Sequence, residues 1–245
     1  MKNKKFNKVI LIPARSGSKR LKDKNIMKIK NKIFLYFTIK QALKIKNIDH
    51  VIVSTDSLKY AKIAQDCGAK ILYKRPKKIS RDTSSDFEVF SYNEKWLNNN
   101  LDYHTDIYIH LRPTFPIREI LHINKMIKTL EEKFKEIDSI RSVIKTNLKL
   151  EKYYKINSSG LLKNNYSFIK PKKNNDFAGN HSDQVVGNWY KHNGNIDVFK
   201  ASLLKKNTIS GKKILSFKQK PIFDYDVNTI DDFKKIKKIL ISKYF

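Results

Sequence analysis

Apolar residues along this 245-residue chain follow two alternating rhythms. The short β-branched runs KVILI (8–12), HVIVSTD (50–56), KILYK (70–74), DIYIHLRP (106–113), DSIRSVI (138–144) and GNIDVFK (194–200) read as strands. The first, second and fourth are nearly continuous apolar runs, as in strands covered on both faces. Between them, IFLYFTIKQALKI (33–45), LKYAKIAQDCGA (58–69), DFEVFSYNEKWL (86–97) and REILHINKMIKTLEEK (118–133) place apolar residues at helical spacing. A last amphipathic stretch, TIDDFKKIKKILISKY (229–244), predicts a closing helix. The alternation predicts one α/β domain over 1–245, with a mostly parallel sheet and right-handed crossovers that put helices on both faces.

Cap signals sharpen the helix starts. Ser85 and Glu88 have capping-box spacing, Ser57 can cap the helix after STD, and Thr229 pairs with Asp232 at the last helix. Pro116 suits a first helical turn, and Gly68 marks where the second helix stops. From 146 to 192 the rhythm is lost in favour of Asn, Gly and Lys. The stretch still carries Tyr153, Tyr154, Leu161, Leu162, Phe168, Phe177 and Trp189, more apolar surface than a free linker holds. We expect an insertion there, with a hairpin at YYKINSSGLLK (153–163) and a substrate-side loop.

Composition changes this picture little. A hydrophobic content of 40% supports a real core, and no stretch approaches the roughly 20 apolar residues of a membrane span. The basic start, MKNKKFNK, leads into an apolar run too short for a signal-peptide core. A single cysteine, Cys67, placed inside the second helix, excludes an internal disulfide and suits a reducing, cytoplasmic compartment. Net charge of +29 is large, but only seven of the 52 basic residues are arginine and the lysines run along the whole chain. With Asn and Ile also abundant, compositional drift accounts for it better than a nucleic-acid surface. The field still favours anionic ligands.

Two segments invite chemistry. Directly after the first strand, IPARSGSKRLKDKN (12–25) packs small residues among cations. In an open α/β sheet, ligands sit beyond the carboxyl ends of strands. Ser16, Gly17 and Ser18 are small enough for backbone N–H groups to approach phosphate oxygens, and Arg15 and Lys19 supply charge. Neither the Walker nor the Rossmann glycine pattern is present, and a basic surface turn is the alternative. Near the other end, IFDYDVNTIDDF (222–233) sets Asp224 and Asp226 two apart on what reads as a strand. Both carboxylates would then share one face, opposite Phe223, Tyr225 and Val227, where magnesium or solvent would separate them. The six histidines show no metal spacing.

Taken together, these pieces resemble the cytidylyltransferases of the CMP-sialic acid synthetase family. IPARSGSKRLKDKN looks like that family's nucleotide loop. VIVSTD and KRPKKISRDTSSD resemble its STD and RP…DT segments. LRPTFPIR is similar to its QPTSPLR block, KHNGNIDVF to its NGAIY strand, and FDYDVNTIDDF to its DID metal segment. The resemblance covers nearly the whole chain and implies a Rossmann-like nucleotidyltransferase fold with a small dimerisation insertion.

It also implies that a 3-deoxy-2-keto sugar acid attacks the α-phosphate of CTP, with Mg2+ present and pyrophosphate leaving, for surface glycan synthesis. By motif position Arg15 and Lys19 would contact the triphosphate, with Ala14, Ser16, Gly17, Ser18 and Asn25 in the loop. Arg75 and Thr83 would lie near the nucleotide, Gln184 and Asn193 on the sugar side, and Asp224 with Asp226 at the metal. A homodimer is implied, with no nucleic-acid or membrane partner.

Three positions depart from that pattern. Arg112 stands where the family commonly has Gln, Asp183-Gln184 where it has Arg-Gln, and Asp197 where it has a tyrosine. We expect Arg112 to hold the substrate carboxylate, in an acceptor other than plain N-acetylneuraminic acid; an arginine satisfying carbonyls near Pro113 is the alternative. A nucleotidyltransferase for 3-deoxy-octulosonate or a sugar phosphate is the rival enzyme. A non-catalytic polyanion-binding protein is the rival from another class.

Overall fold

A computed structural model describes residues 5–148, 153, 155–163 and 188–244. The first strand, β1 (Lys8–Pro13), is buried along nearly its whole length. Then come a small antiparallel pair, β2 (Lys28–Ile29) and β3 (Lys32–Ile33), the helix α1 (Phe34–Ala42), β4 (His50–Ser54) and α2 (Leu58–Asp66). The middle of the chain forms α3 (Asp86–Leu101), β5 (Ile107–His110), α4 (Ile120–Glu132) and β6 (Ser139–Thr146). A short hairpin, β7 (Lys155–Ile156) with β8 (Leu162–Lys163), precedes β9 (Trp189–Lys200), β10 (Ile214–Gln219) and α5 (Ile230–Tyr244).

Six strands make one sheet in the order β10-β6-β9-β5-β1-β4. β4 and β5 pair parallel with β1, and β10 with β6, while β9 runs antiparallel between β5 and β6. Period-two alternation splits the core into two layers. Ile10, Ile12, Val53, Ile109 and Val198 face α1 and α4, while Val9, Leu11, Ile52, Tyr108 and Phe199 face α3. A third cluster joins Ile29 and Phe34 to Phe223, Val227, Phe233 and Leu240, so α5 anchors the chain just before it.

The caps form as expected. Ser85 and Glu88 make a reciprocal capping box, Ser57 Oγ accepts from Tyr60 N–H, and Thr229 and Asp232 exchange hydrogen bonds. Gly68 takes φ +98°, a left-handed conformation that ends α2. The expected hairpin turns at Asn157–Gly160, where Asn157 Oδ1 accepts from the N–H groups of Ser159 and Leu161.

Other expectations need correction. Residues 70–74 are not a full strand; isolated bridges join Lys70 to Ile52 of β4 and Lys74 to Thr55 just beyond it. β5 ends at His110, and Pro116 lies outside a helix, because α4 starts only at Ile120. Cys67 caps the end of α2 rather than sitting within it. β9 begins at Trp189, inside the expected insertion, whose greater part lies outside the described residues. β10 was not anticipated: it is an edge strand with alternating exposure, flanked by lysines.

Candidate active site

The sheet order creates the site. From β1 the chain moves outward to β4, then returns to place β5 on the other side of β1. Strand order therefore reverses between β1 and β5, and the loops beyond their carboxyl ends diverge and leave a crevice. Register aligns those ends, with Leu11 opposite His110 and Pro13 opposite Ser54. A cavity of about 440 Å³ opens there, lined by Pro13, Arg15, Ser18, Lys19, Arg20, Lys24 and Asn25 from one loop and His110, Arg112 and Thr114 from the other. Arg75, Arg81 and Asp82 from the segment before α3, and Asp86 at its first turn, close it.

The first loop is held from behind. Ala14 N–H donates to Ser54 O, and Ser16 gives both its N–H and its hydroxyl to Asp56. Asn25, buried, donates from Nδ2 to Arg15 O at 3.2 Å. A Cβ at Gly17 would meet nothing within 4 Å, so the protein's own packing does not demand a glycine there. With the backbone tied down, Arg15 and Lys19 converge on one carboxylate: Arg15 Nη2 lies 2.6 Å and Lys19 Nζ 3.0 Å from Asp82. Those hydrogen bonds hold the Asp82 carboxyl below its ordinary range.

Arg75 is placed differently. It is buried, yet its Nε and Nη2 have no hydrogen-bond partner. Burial lowers its affinity for the proton, which the Asp56 carboxylate partly offsets. A desolvated, under-bonded guanidinium at a cavity wall is costly unless a ligand completes it. This gives the sequence expectation for Arg75 a physical basis.

The inner wall is a charge network. Arg112 donates from Nη1 to Asp197 Oδ2 at 2.8 Å and to Gly194 O at 3.0 Å, and from Nη2 to Asp86 Oδ2 at 2.8 Å. Gly194 adopts φ +75° near a register shift in β9, and a Cβ there would come 3.4 Å from Arg112 Nη1. Asp197 also lies 2.7 Å from His192 Nε2. Burial works to raise the Asp197 carboxyl, but the His192 hydrogen bond and the Arg112 charge outweigh it and hold the group well below its usual range. At Asp86, burial is likewise outweighed, here by His110 and Arg112.

His110 is fully buried between these carboxylates, with neither ring nitrogen hydrogen-bonded, and burial lowers its pKa to about 4. Reasoning from the sequence passed over His110 and Asp86. A strand-end histidine and a helix-start aspartate carry no signal until the fold brings them together.

The acidic pair departs most from expectation. Asp224 and Asp226 lie not on a strand but in irregular chain after a short 3-10 turn at Pro221–Phe223. Phe223 and Val227 are buried while Tyr225 is exposed, so strict alternation is broken by the third core. Asp224 is paired with Lys191 at 2.6 Å, and Asp226 receives the Asn228 amide on Oδ2. Neither lines the cavity, but the segment adjoins it: Lys24 Nζ donates to Val227 O at 3.1 Å, and Val227 N–H to Thr114 O at 3.0 Å. The cationic loop and the acidic segment thus meet.

Asp226 Oδ1 is buried without a partner. One orphaned carboxylate oxygen in a segment adjoining a cation-lined cavity fits Mg2+, which takes one or two carboxylates and completes its shell from other oxygen ligands and water. Among the described residues no three His, Cys, Asp or Glu side chains gather to hold a metal by themselves.

Of the other expected residues, Thr83 is exposed in the turn before α3 and does not line the cavity. Asn193 is buried and uses its amide inside the protein, donating to Gln219 Oε1 and Phe223 O and accepting from the Ser142 hydroxyl. Asp183 and Gln184 lie outside the described residues. No helix among the described residues is long and apolar enough to cross a membrane.

Comparison with known proteins agrees with this geometry. The fold superposes on the CTP complex of CMP:2-keto-3-deoxy-manno-octonic acid synthetase with a TM-score of 0.70 at 17% identity, covering 97% of this chain and 99% of that one. A CMP-N,N'-diacetyllegionaminic acid synthase from Legionella pneumophila is 27% identical over 241 residues, 94% of each chain. An N-acylneuraminate cytidylyltransferase from Escherichia coli O18:K1:H7 is 36% identical over 141 residues, 57% of this chain but only 32% of that protein. The Cytidylyltransferase family matches residues 9–239, and with the cations of the first loop gathered at the switch point of the sheet, this chain belongs to that family.

Proposed function

We propose that the protein transfers CMP from CTP to a sialic-acid-like 3-deoxy-2-keto sugar acid and releases pyrophosphate. The observation that carries the reading is the gathering of Arg15, Lys19, Arg20, Lys24 and Arg75 around one cavity at the sheet's switch point. A triphosphate brings the charge that such a group of cations lacks, and an under-bonded Arg75 gains acceptors from it or from the attached base. The names of the Legionella and Escherichia coli relatives support a nonulosonic acid as acceptor.

In this reading Arg15 and Lys19 exchange Asp82 for phosphate oxygens and offset charge as pyrophosphate departs. Asn25, Ser16 and Asp56 keep the loop in place, so the α-phosphate is presented in a fixed geometry. Mg2+, held at Asp226 with Asp224 near it, would supply further charge neutralisation on the phosphates. A homodimer acting in the cytoplasm completes the proposal, the second part resting on a single unpaired Cys67.

The test is pyrophosphate release with each of four nucleoside triphosphates against a panel of nonulosonic and octulosonic acids. Release requiring CTP and a nonulosonic acid is expected. Release with UTP but not CTP would overturn the nucleotide assignment, and turnover of octulosonic acid alone would overturn the acceptor.

A further inference from the structure

The cavity is electrically two-sided. Arg15, Lys19, Arg20 and Lys24 line it from the first loop, with Asp82 between Arg15 and Lys19, while Asp86, His110 and Arg112 line the opposite wall. Arg112, the cation of that wall, is already engaged: Nη1 on Asp197 and Gly194 O, Nη2 on Asp86. Two carboxylates answer to this one guanidinium. Asp197 is only 3% exposed and turned to the protein, whereas the Asp86 side chain is 39% exposed and lines the cavity. The Arg112 guanidinium is 23% exposed at this wall with its Nη atoms already engaged, so Asp86 is the more exposed group of the pair and the acceptor that a ligand meets.

We propose that this inner wall is a subsite for an uncharged hydrogen-bond-donating group of a substrate, an N–H or O–H, with Asp86 as the acceptor and Arg112 as its positioning residue. The proposal rests on the cytidylyltransferase reading. Ionised Asp86 accepts hydrogen bonds and cannot donate them, and its Oδ2 is committed to Arg112, which leaves Oδ1 for a ligand. His110 beside it, with Nδ1 3.9 Å from Asp86 Oδ2, is fully buried and has no hydrogen-bond partner on either ring nitrogen. An anion set there would face Asp86 at close range in a partly desolvated cavity, which like-charge repulsion disfavours. The acceptor's carboxylate is thereby directed toward the cationic end, and Arg112 is not its ligand.

The donor has two sources within the proposed reaction: the exocyclic amine of the cytosine base, or an acylamino N–H of the sugar acid. Binding of CMP and UMP to wild type and Asp86→Asn by calorimetry addresses the first. The ratio of kcat/KM for an acylamino sugar acid and the same acid with hydrogen at that carbon addresses the second. Losing one charged hydrogen bond predicts a drop of about tenfold in one of these two preferences. Binding of inorganic pyrophosphate, a probe of the cationic end alone, is expected to stay at the wild-type level and certifies a folded variant.

Two unchanged preferences in Asp86→Asn would overturn the proposal. So would an Arg112→Gln variant that raises KM for the acid while Asp86→Asn leaves both preferences intact. If wild-type protein releases no pyrophosphate with CTP and any acid, the functional reading fails instead.

Discussion

Arg112 Nη1 lies 2.8 Å from Asp197 Oδ2, so two positions at which the chain departs from the pattern it resembles are each other's partners. The cation at 112 and the anion at 197 neutralise each other in this chain. Replacing either alone strands a largely buried charge. Arg112→Gln and Asp197→Asn should each lower unfolding free energy by about 3 kcal/mol, and the double variant by less than their sum. Chemical denaturation of all four proteins measures the coupling; simple additivity would refute it.

Arg15 and Lys19 share Asp82 in the ligand-free protein. A triphosphate must displace that carboxylate to reach them. Asp82→Asn should therefore tighten pyrophosphate binding by up to about fivefold, the range of an exposed ion pair. Weaker binding in the variant would mean that Asp82 serves the ligand rather than competes with it.

Asp226 Oδ1 has no partner inside the protein. Asp226→Asn should leave thermal stability close to wild type while kcat falls about a hundredfold or more, as for loss of one electrostatic stabiliser. A titration with Mg2+ that still saturates at the wild-type concentration would remove the metal role.

Asn193 joins β9 to β6, β10 and the Phe223 turn. Asn193→Ala leaves buried groups unsatisfied and should cost about 2 kcal/mol of stability. If stability holds while KM for the acid rises, the side chain belongs to the substrate after all.

His110 gives the fold a pH dependence. Asp86 on α3, Asp197 on β9, and Arg112 and Arg118 beyond β5 all act on it, but burial dominates and its pKa falls to about 4. An unfolded histidine titrates near about 6.5, so between these values the unfolded chain binds the extra proton. Stability is thus lost as pH falls through that window, on the order of 3 kcal/mol by its lower end. His110→Gln should flatten the urea midpoint between pH 6.5 and 4, the window those two pKa values define. An unchanged slope would show that other groups set it.

The sequence by itself determined most of the architecture and the place of the cationic first loop. Nearly continuous apolar runs at 8–12, 50–56 and 106–113 cover β1, β4 and β5 on both faces, and caps at Ser57, Ser85 and Thr229 start three helices, because these signals act between neighbours in the chain. The small-residue loop with Arg15 and Lys19 was legible for the same reason.

What only the tertiary structure decided lies in long-range juxtaposition. Asp224 and Asp226 read as a strand, but packing of Phe223 and Val227 against α5 overrides their local alternation. Asp86, His110, Arg112 and Asp197 come from three separate elements, and nothing in their spacing announces one network. Local propensity is written in adjacent residues, whereas a charge's partner depends on which loops the sheet order brings face to face.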